Sequence, residues 1–160
     1  MSATGSPAPE LAVSQWFNTA EPLTLAALRG KVVLLHAFQM LCPGCTAHGT
    51  PQAEKAHRMF KGSDLTVIGL HTVFEHHEAM TPVALAAYIH EYRLTMPIGV
   101  DQPGSSGPVP VTMERFQLRG TPSAVLIGRD GRVLHHGFGQ EEDIALGARI
   151  ASALAERENG

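Results

Sequence analysis

The two cysteines of this 160-residue chain, Cys42 and Cys45, lie close together in the sequence Cys-Pro-Gly-Cys. A disulfide between them would close so small a loop that it removes little entropy from the unfolded chain. The pair is therefore of little use as a structural cross-link, and its spacing favours redox chemistry or metal binding. In redox chemistry, a thiolate at Cys42 would attack a disulfide, and Cys45 would resolve the mixed disulfide that results.

The segment before the cysteines predicts how Cys42 becomes reactive. Residues 31–38 are apolar at both odd and even positions, as in a central parallel strand covered on both faces. A helix is expected to follow at residues 42–60, with an interruption at residues 49–51, where Pro51 breaks the hydrogen-bond pattern. Cys42 then lies at a helix N-terminus, where unpaired amides and the helix dipole stabilise a thiolate.

The rest of the chain predicts an alternating α/β order. We expect a short N-terminal edge strand at residues 24–28, further strands at 64–70 and 96–100, a helix beginning at Thr81-Pro82, a short helix at 113–117, a hairpin at 121–138 and a closing helix at 141–156. Residues 1–10 are rich in Pro, Ser and Gly and are expected to be flexible. Residues 11–160 are expected to form a single domain.

Composition argues against several classes of protein. Apolar residues make up 44% of the chain and charged residues 17%, which is typical of a globular domain. No apolar run approaches the roughly 18–20 residues of a membrane span, so membrane insertion is not expected. A net charge of −3 without a basic cluster argues against nucleic acid as a partner. The N-terminus has no export-signal pattern, which predicts a cytoplasmic protein, or a periplasmic one if such a signal was removed.

Four features together resemble the thioredoxin superfamily, most closely its TlpA-type and redoxin members. They are the strand at 31–38 before Cys42, the helix proline Pro51, Gly120-Thr121-Pro122 before a hairpin strand, and the segment 123–139 before the last helix. The resemblance covers about residues 16–155. It implies a thioredoxin-like α/β sandwich, in which helices cover both faces of a central mixed sheet. An N-terminal strand extension and an insertion after the second core strand complete the expected fold.

The resemblance also implies roles for individual residues. Cys42 is expected to be the nucleophile and Cys45 the resolving thiol. Pro122 matches the cis-proline of the family, and Thr121 and Pro122 are expected to bind substrate as an added strand, together with Pro43 and Gly44 between the cysteines. His36 stands six residues before Cys42, where thioredoxins have a buried carboxylate. It is expected to be either a proton relay or an inert core histidine.

Two departures from the family pattern affect the site. Leu41 precedes the first cysteine, where many members have a tryptophan. Pro51 comes six residues after Cys45 rather than five, which predicts a π-like bulge or an irregular turn near residues 48–51.

Three other functions remain open at this stage. Cys42, Cys45 and His48 have a spacing that suits zinc or copper. A redoxin-type thiol peroxidase would need Pro and Thr or Ser seven and three residues before its cysteine, and Cys42 has Leu35 and Gln39 there. The third alternative function is that of a binding module without catalytic turnover. The segment His71 to Glu78, with His76 and His77, is either a substrate-selecting loop or a solvated one.

These observations favour a thiol–disulfide oxidoreductase that needs no cofactor beyond its own cysteines. Its expected partners are protein disulfides and an upstream reductant. In the cytoplasm, the glutathione pool would keep the cysteines mostly reduced and favour a reductase.

Overall fold

The computed structural model describes residues 3–156. The strands are β1 (Val13–Phe17), β2 (Val32–Phe38), β3 (Leu65–His71), β4 (Ile98–Asp101), β5 (Ser123–Ile127) and β6 (Val133–Phe138). The α-helices are α1 (Thr50–Met59), α2 (Pro82–Glu91), α3 (Val111–Arg115) and α4 (Asp143–Ala155). A π-helical turn, Cys45–Gly49, leads into α1, and a 3₁₀ turn, His77–Ala79, lies before α2.

The six strands form one mixed sheet in the order β1-β4-β3-β2-β5-β6. The three central strands β2, β3 and β4 are parallel, whereas β1, β5 and β6 each pair antiparallel with a neighbour. Every residue of β2 is buried, because both faces of this central strand are covered. This explains the apolar run in the sequence.

Each face of the sheet has its own apolar core. Alternate residues of β2 divide between them: Val32, Leu34 and Phe38 pack with side chains of α1, α2 and α4, while Val33, Leu35 and Ala37 pack with side chains of α3. His36 has the parity of Leu34 and therefore faces α1. Helices thus lie on both faces of a mixed sheet, and the expected thioredoxin-like fold is confirmed.

The sheet register brings three distant segments to one edge. β5 runs antiparallel to β2, with Ser123 opposite Ala37, so Pro122 lies beside the residues that follow β2. β3 is parallel to β2, with His71 opposite Phe38, so the insertion after β3 begins at the same edge. The Thr72 N–H donates to the Phe38 carbonyl there, at 3.0 Å. The functional site is assembled at this edge.

The prediction of a strand at residues 24–28 is wrong. This segment forms turns, and the N-terminal strand is β1. The Leu28 N–H bonds to the Thr24 carbonyl, and the Glu10 carboxylate accepts the Leu25 and Ala26 N–H groups. The two alanines of this segment favour helical turns over strand. β1 instead pairs with β4, where Gly99 leaves room for nearby side chains of β1.

The N-terminal segment that was expected to be flexible is partly attached to the domain. The Gly5 N–H bonds to the Val133 carbonyl, and the Ala8 N–H bonds to the Gly131 carbonyl. Pro7 also forms a bridge with Arg132. Residues 5–8 therefore lie along the β5–β6 hairpin. The first two residues of the predicted segment lie outside the described residues.

No helix within residues 3–156 is both long enough and apolar enough to cross a membrane.

Candidate active site

Cys42 and Cys45 lie at the start of the helix that becomes α1, as the sequence predicts. Helical residues begin at Pro43, directly after Cys42. The Cys45 N–H donates to the Cys42 Sγ at 3.2 Å, and the Cys42 thiol donates to the Thr121 carbonyl at 3.5 Å. Both cysteines are free thiols. The Cys42 sulfur therefore touches both a helix-terminal amide and the segment before β5.

The two thiols have different surroundings. Cys42 is half-buried, whereas Cys45 is fully buried. Burial, together with the hydrogen bond to Cys42, raises the pKa of the Cys45 thiol to about 12. Cys45 is thus protonated in the dithiol form and must lose a proton before it can act as a nucleophile.

Pro122 packs against the cysteine-bearing helix through glycines. The Thr121–Pro122 peptide bond is cis. A Cβ atom on Gly44 would lie 3.5 Å from the Pro122 Cδ, an ordinary contact. A Cβ on Gly49 would lie 2.9 Å from both the Pro122 Cβ and the His36 Cε1, which no side chain can do without displacing its neighbours. Gly49 therefore lets the helix, Pro122 and His36 pack together.

The helix contains the irregularity that the position of Pro51 predicts. The π-helical turn spans Cys45–Gly49, slightly earlier than the expected residues 48–51. It ends with a hydrogen bond from the Thr50 N–H to the Cys45 carbonyl. The extra residue in this turn brings Thr50 one turn after Cys45, with its side chain buried.

His36 lies on the buried side of the cysteine pair. Its Nε2 is 2.9 Å from the Thr50 Oγ1, and its ring stacks on Phe38 with 5.3 Å between centroids. Burial lowers the pKa of His36 to about 3, so the ring is neutral at physiological pH. A neutral imidazole holds one proton and accepts another, so both roles considered for His36 remain compatible with this geometry.

Gln39 is a site residue whose function the sequence did not indicate. Its buried side chain accepts a hydrogen bond from the Phe74 N–H at 3.2 Å and lies within hydrogen-bond range of the Thr121 Oγ1 and the Glu75 Oε1, at 3.4 and 3.5 Å. Gln39 thus joins the insertion after β3 to the segment before β5. Its polarity next to an apolar strand was the only signal for this contact.

His71, the last residue of β3, also supports the site. The Met40 N–H donates to the His71 Nε2 at 3.2 Å, and burial lowers the pKa of this histidine to about 4. Glu75, His76, His77 and Glu78 are exposed. In the segment His71 to Glu78, His71 therefore contacts the site, while the last four residues face solvent.

The structure does not assemble the metal site that the spacing of Cys42, Cys45 and His48 suggested. The His48 Nε2 is hydrogen-bonded to the Glu141 carbonyl at 2.7 Å, toward the loop before α4. Within residues 3–156, no group of three His, Cys, Asp or Glu side chains could hold a metal ion. Metal binding at the cysteines therefore has no support in this geometry.

The other residues expected to bind substrate surround Cys42. Pro43 and Gly44 are exposed, Thr121 is half-buried and Pro122 is buried. The Pro122 carbonyl accepts from the Gly139 N–H at 2.8 Å. An incoming strand would therefore meet the backbone at Thr121 rather than at Pro122. The structure brings Cys42, Cys45, Pro43, Gly44, Thr121, Pro122 and His36 to one site.

Comparison with known proteins places this site among redox proteins. Residues 4–136 match the AhpC/TSA family. The chain is similar to a crystal structure of a thioredoxin-like superfamily protein, with a TM-score of 0.91 and 55% identity over 96% of this chain and 98% of that chain. A thiol-disulfide isomerase from Corynebacterium glutamicum gives a TM-score of 0.89 and 49% identity over 94% and 97% of the two chains.

A curated relative shows that such a sequence also occurs within longer proteins. The protein DipZ of Mycobacterium tuberculosis is 31% identical over 136 residues, which cover 83% of this chain. The match spans only 18% of the length of DipZ.

Proposed function

We propose that this chain, which belongs to the AhpC/TSA family, is a thioredoxin-like thiol–disulfide oxidoreductase that reduces protein disulfides, with Cys42 as the nucleophile and Cys45 as the resolving thiol. The observation that carries the proposal is the contrast between the two thiols. Cys42 is accessible at the start of a helix, and buried Cys45 lies one turn further on, with its N–H bonded to the Cys42 sulfur.

The proposed reaction has two steps. The Cys42 thiolate attacks one sulfur of the substrate disulfide, and the other substrate sulfur leaves as a thiolate. Cys45 then loses its proton and attacks the Cys42 sulfur, which breaks the bond between Cys42 and the substrate. The substrate gains two electrons and ends as two thiols once its thiolates take up protons, while Cys42 and Cys45 end as a disulfide. An upstream dithiol reductant restores the two thiols.

The residues around Cys42 would hold the substrate. An extended segment beside the substrate cysteine would pair with the Thr121 backbone as an added strand, and Pro122, Pro43 and Gly44 would contact it. The Thr121 carbonyl, 3.5 Å from the Cys42 Sγ, would place this strand next to the attacking sulfur. His36 would act as a proton relay for the Cys45 thiol.

The chemistry requires no bound cofactor, and the partners that we propose are protein disulfides and a dithiol reductant. A cytoplasmic location stays a prediction from the sequence. Fractionation of cells that produce the natural full-length protein would test it, with a cytoplasmic and an exported marker protein as controls.

Trapping the intermediate tests the proposed mechanism. We expect C42S to abolish the reduction of insulin disulfides by dithiothreitol above the uncatalysed rate. C45S is expected to accumulate a covalent complex with the substrate, because the resolving thiol is missing. Intact mass spectrometry with and without reductant detects this complex. Turnover by C42S, or a C45S protein that forms no mixed disulfide, would overturn the mechanism.

Hydrogen peroxide provides the control for a peroxidase. Under the same conditions, a dithiol oxidoreductase is expected to consume peroxide far more slowly than it reduces insulin. Rapid peroxide consumption that is lost in C42S would instead establish the thiol-peroxidase alternative.

A further inference from the structure

The buried side chain of Gln39 holds the insertion after β3 against the segment before β5. The Phe74 N–H can only donate, so the oxygen of the Gln39 amide faces it, at 3.2 Å. The nitrogen of the same amide therefore faces the Glu75 Oε1 at 3.5 Å and the Thr121 Oγ1 at 3.4 Å. Because Gln39 is only 1% exposed, its protein neighbours rather than water fix this orientation. One amide group thus places the Glu75 carboxylate near the Thr121 hydroxyl.

The Glu75 carboxylate is accessible and is not neutralised by a basic side chain. Glu75 is exposed, and within residues 3–156 it forms no ion pair. Glu78 of the same segment is also exposed, but the contact between Gln39 and Glu75 has no counterpart there. Glu75 is therefore an acidic side chain that is held at the site and can still interact with a bound molecule.

The backbone at Thr121 determines where a substrate side chain would lie. Among the described residues, no hydrogen bond uses the Thr121 N–H, and the Thr121 carbonyl accepts from the Cys42 thiol at 3.5 Å. In an antiparallel strand pair, the side chains of directly opposite residues lie on the same face, with Cβ atoms about 4.5–5.5 Å apart. The side chain of a substrate residue opposite Thr121 would therefore lie on the side of the Thr121 hydroxyl, toward Gln39 and Glu75.

We propose that Glu75, held in place by Gln39, selects disulfide substrates that carry a Lys or Arg beside the reactive cysteine. The inference rests on the proposed function, because it concerns the segment that lies next to Cys42 during the attack. A Lys or Arg opposite Thr121 has a side chain long enough to approach the carboxylate, whereas an acidic side chain there is repelled. Glu75 acts on the binding of the substrate and takes no part in the exchange of thiols.

Three peptides with one intramolecular disulfide test this selectivity. They are identical except for Lys, Gln or Glu next to each cysteine. The reduced protein is mixed with each peptide as the only reductant, and acid quenching with mass spectrometry gives the rate constant. Reduction by dithiothreitol alone corrects for the intrinsic reactivity of each peptide. One unit charge at several ångströms in water changes a rate constant by about threefold, so we expect the Lys peptide to react about 10-fold faster than the Glu peptide.

Substitutions at Glu75 are expected to change this ratio of rate constants. E75Q should lower the ratio of the Lys peptide to the Glu peptide to within about twofold, and E75K should reverse the preference. E78Q is the matched control, because it removes the same charge from the same segment, and it should keep the parent ratio. Raising the NaCl concentration to about 0.5 M should reduce the parent ratio, since salt screens exposed charges. A general loss of folding cancels in the ratio.

Three results would overturn the selectivity. The first is a parent protein that reduces all three peptides at equal corrected rates. The second is a parent ratio that persists in E75Q. The third is an equal fall of the ratio in E75Q and E78Q, which would indicate an effect of net charge alone. Failure of the proposed function gives a different result, because the parent protein would then reduce none of the peptides, or C42S would reduce them equally fast.

Discussion

The two faces of the cysteine pair are built from different chemical groups. On the outer face, Cys42 contacts the Cys45 N–H and the Thr121 carbonyl, and its neighbours Pro43 and Gly44 are exposed. On the inner face, the side chains of Cys45, His36 and Thr50 are buried. Backbone groups dominate the outer face, whereas buried side chains dominate the inner face.

In the proposed mechanism, the outer face would recognise the substrate, whereas the inner face would hold the resolving thiol. Backbone groups are the same for every residue type, so an outer face made of them can pair with many extended segments. Buried polar side chains need specific partners, since an unpaired one costs about 1–3 kcal/mol. The inner face is therefore expected to be much less tolerant of substitution and of pH than the outer face.

The largest expected contrast is in the reactivity of the two thiols. With a pKa of about 12, only about 10⁻⁴ of Cys45 is thiolate at pH 8, and the residue is also buried. We expect iodoacetamide to modify Cys42 at least about 100-fold faster than Cys45 in the reduced protein. Peptide mass mapping over time measures both rates, and the unfolded protein serves as the control. Equal rates in the folded protein would show that the inner thiol is as accessible as the outer one.

Acid provides the second test, because two buried histidines near the site resist protonation. Burial lowers the pKa of His36 to about 3 and that of His71 to about 4, below the unfolded value of about 6.5. The stability that this neutral state contributes is fully present above pH 6.5 and is lost as the pH falls toward the folded values. We expect the free energy of unfolding to drop by about 4 kcal/mol between pH 6.5 and 4.5.

Urea unfolding followed by circular dichroism measures this drop. The H36Q variant is expected to lose only about half as much stability over the same interval, because His71 alone then remains of this pair. A parent protein whose stability is constant from pH 6.5 to 4.5 would contradict the buried, neutral state of both rings.

A matched pair of glycine substitutions gives the smallest expected contrast. Gly44 and Gly49 both have helical backbone angles, so alanine suits either backbone. On the inner face, a Cβ at Gly49 meets His36 and Pro122 at 2.9 Å, whereas at Gly44 it lies 3.5 Å from Pro122. We expect G49A to reduce the free energy of unfolding by about 2 kcal/mol, and G44A to leave it equal or up to about 1 kcal/mol higher.

Urea unfolding of the two variants under identical conditions measures this contrast. Equal stabilities would mean that the inner face adapts to an added methyl group as easily as the outer face does.

Local patterns in the sequence predicted much of the fold and the reactive part of the site. The apolar run at β2 and the start of the helix at Pro43 follow from periodicity and end signals, which depend on neighbours in the chain. The position of Pro51 relative to the family pattern predicted an irregularity in the helix close to where the π-helical turn occurs. The N-terminal strand was misplaced, because β1 depends on pairing with β4, more than 80 residues later in the chain.

Contacts between distant segments were the part that the sequence could not supply. Gln39 meets Phe74 and Thr121 only because the segments next to neighbouring strands lie at one edge of the sheet. No local spacing relates these residues to one another. The hydrogen bond between His48 and the Glu141 carbonyl likewise joins two segments that are distant in the chain.

The sequence by itself determined the chemistry, because two thiols separated by two residues at a helix start are reactive through local geometry. It also determined the alternation of strands and helices, which follows from the periodicity of apolar side chains. Only the tertiary structure decided which thiol is buried and which histidines are buried and neutral. Burial and hydrogen-bond partners are properties of the packed chain, and they set the pKa of each group.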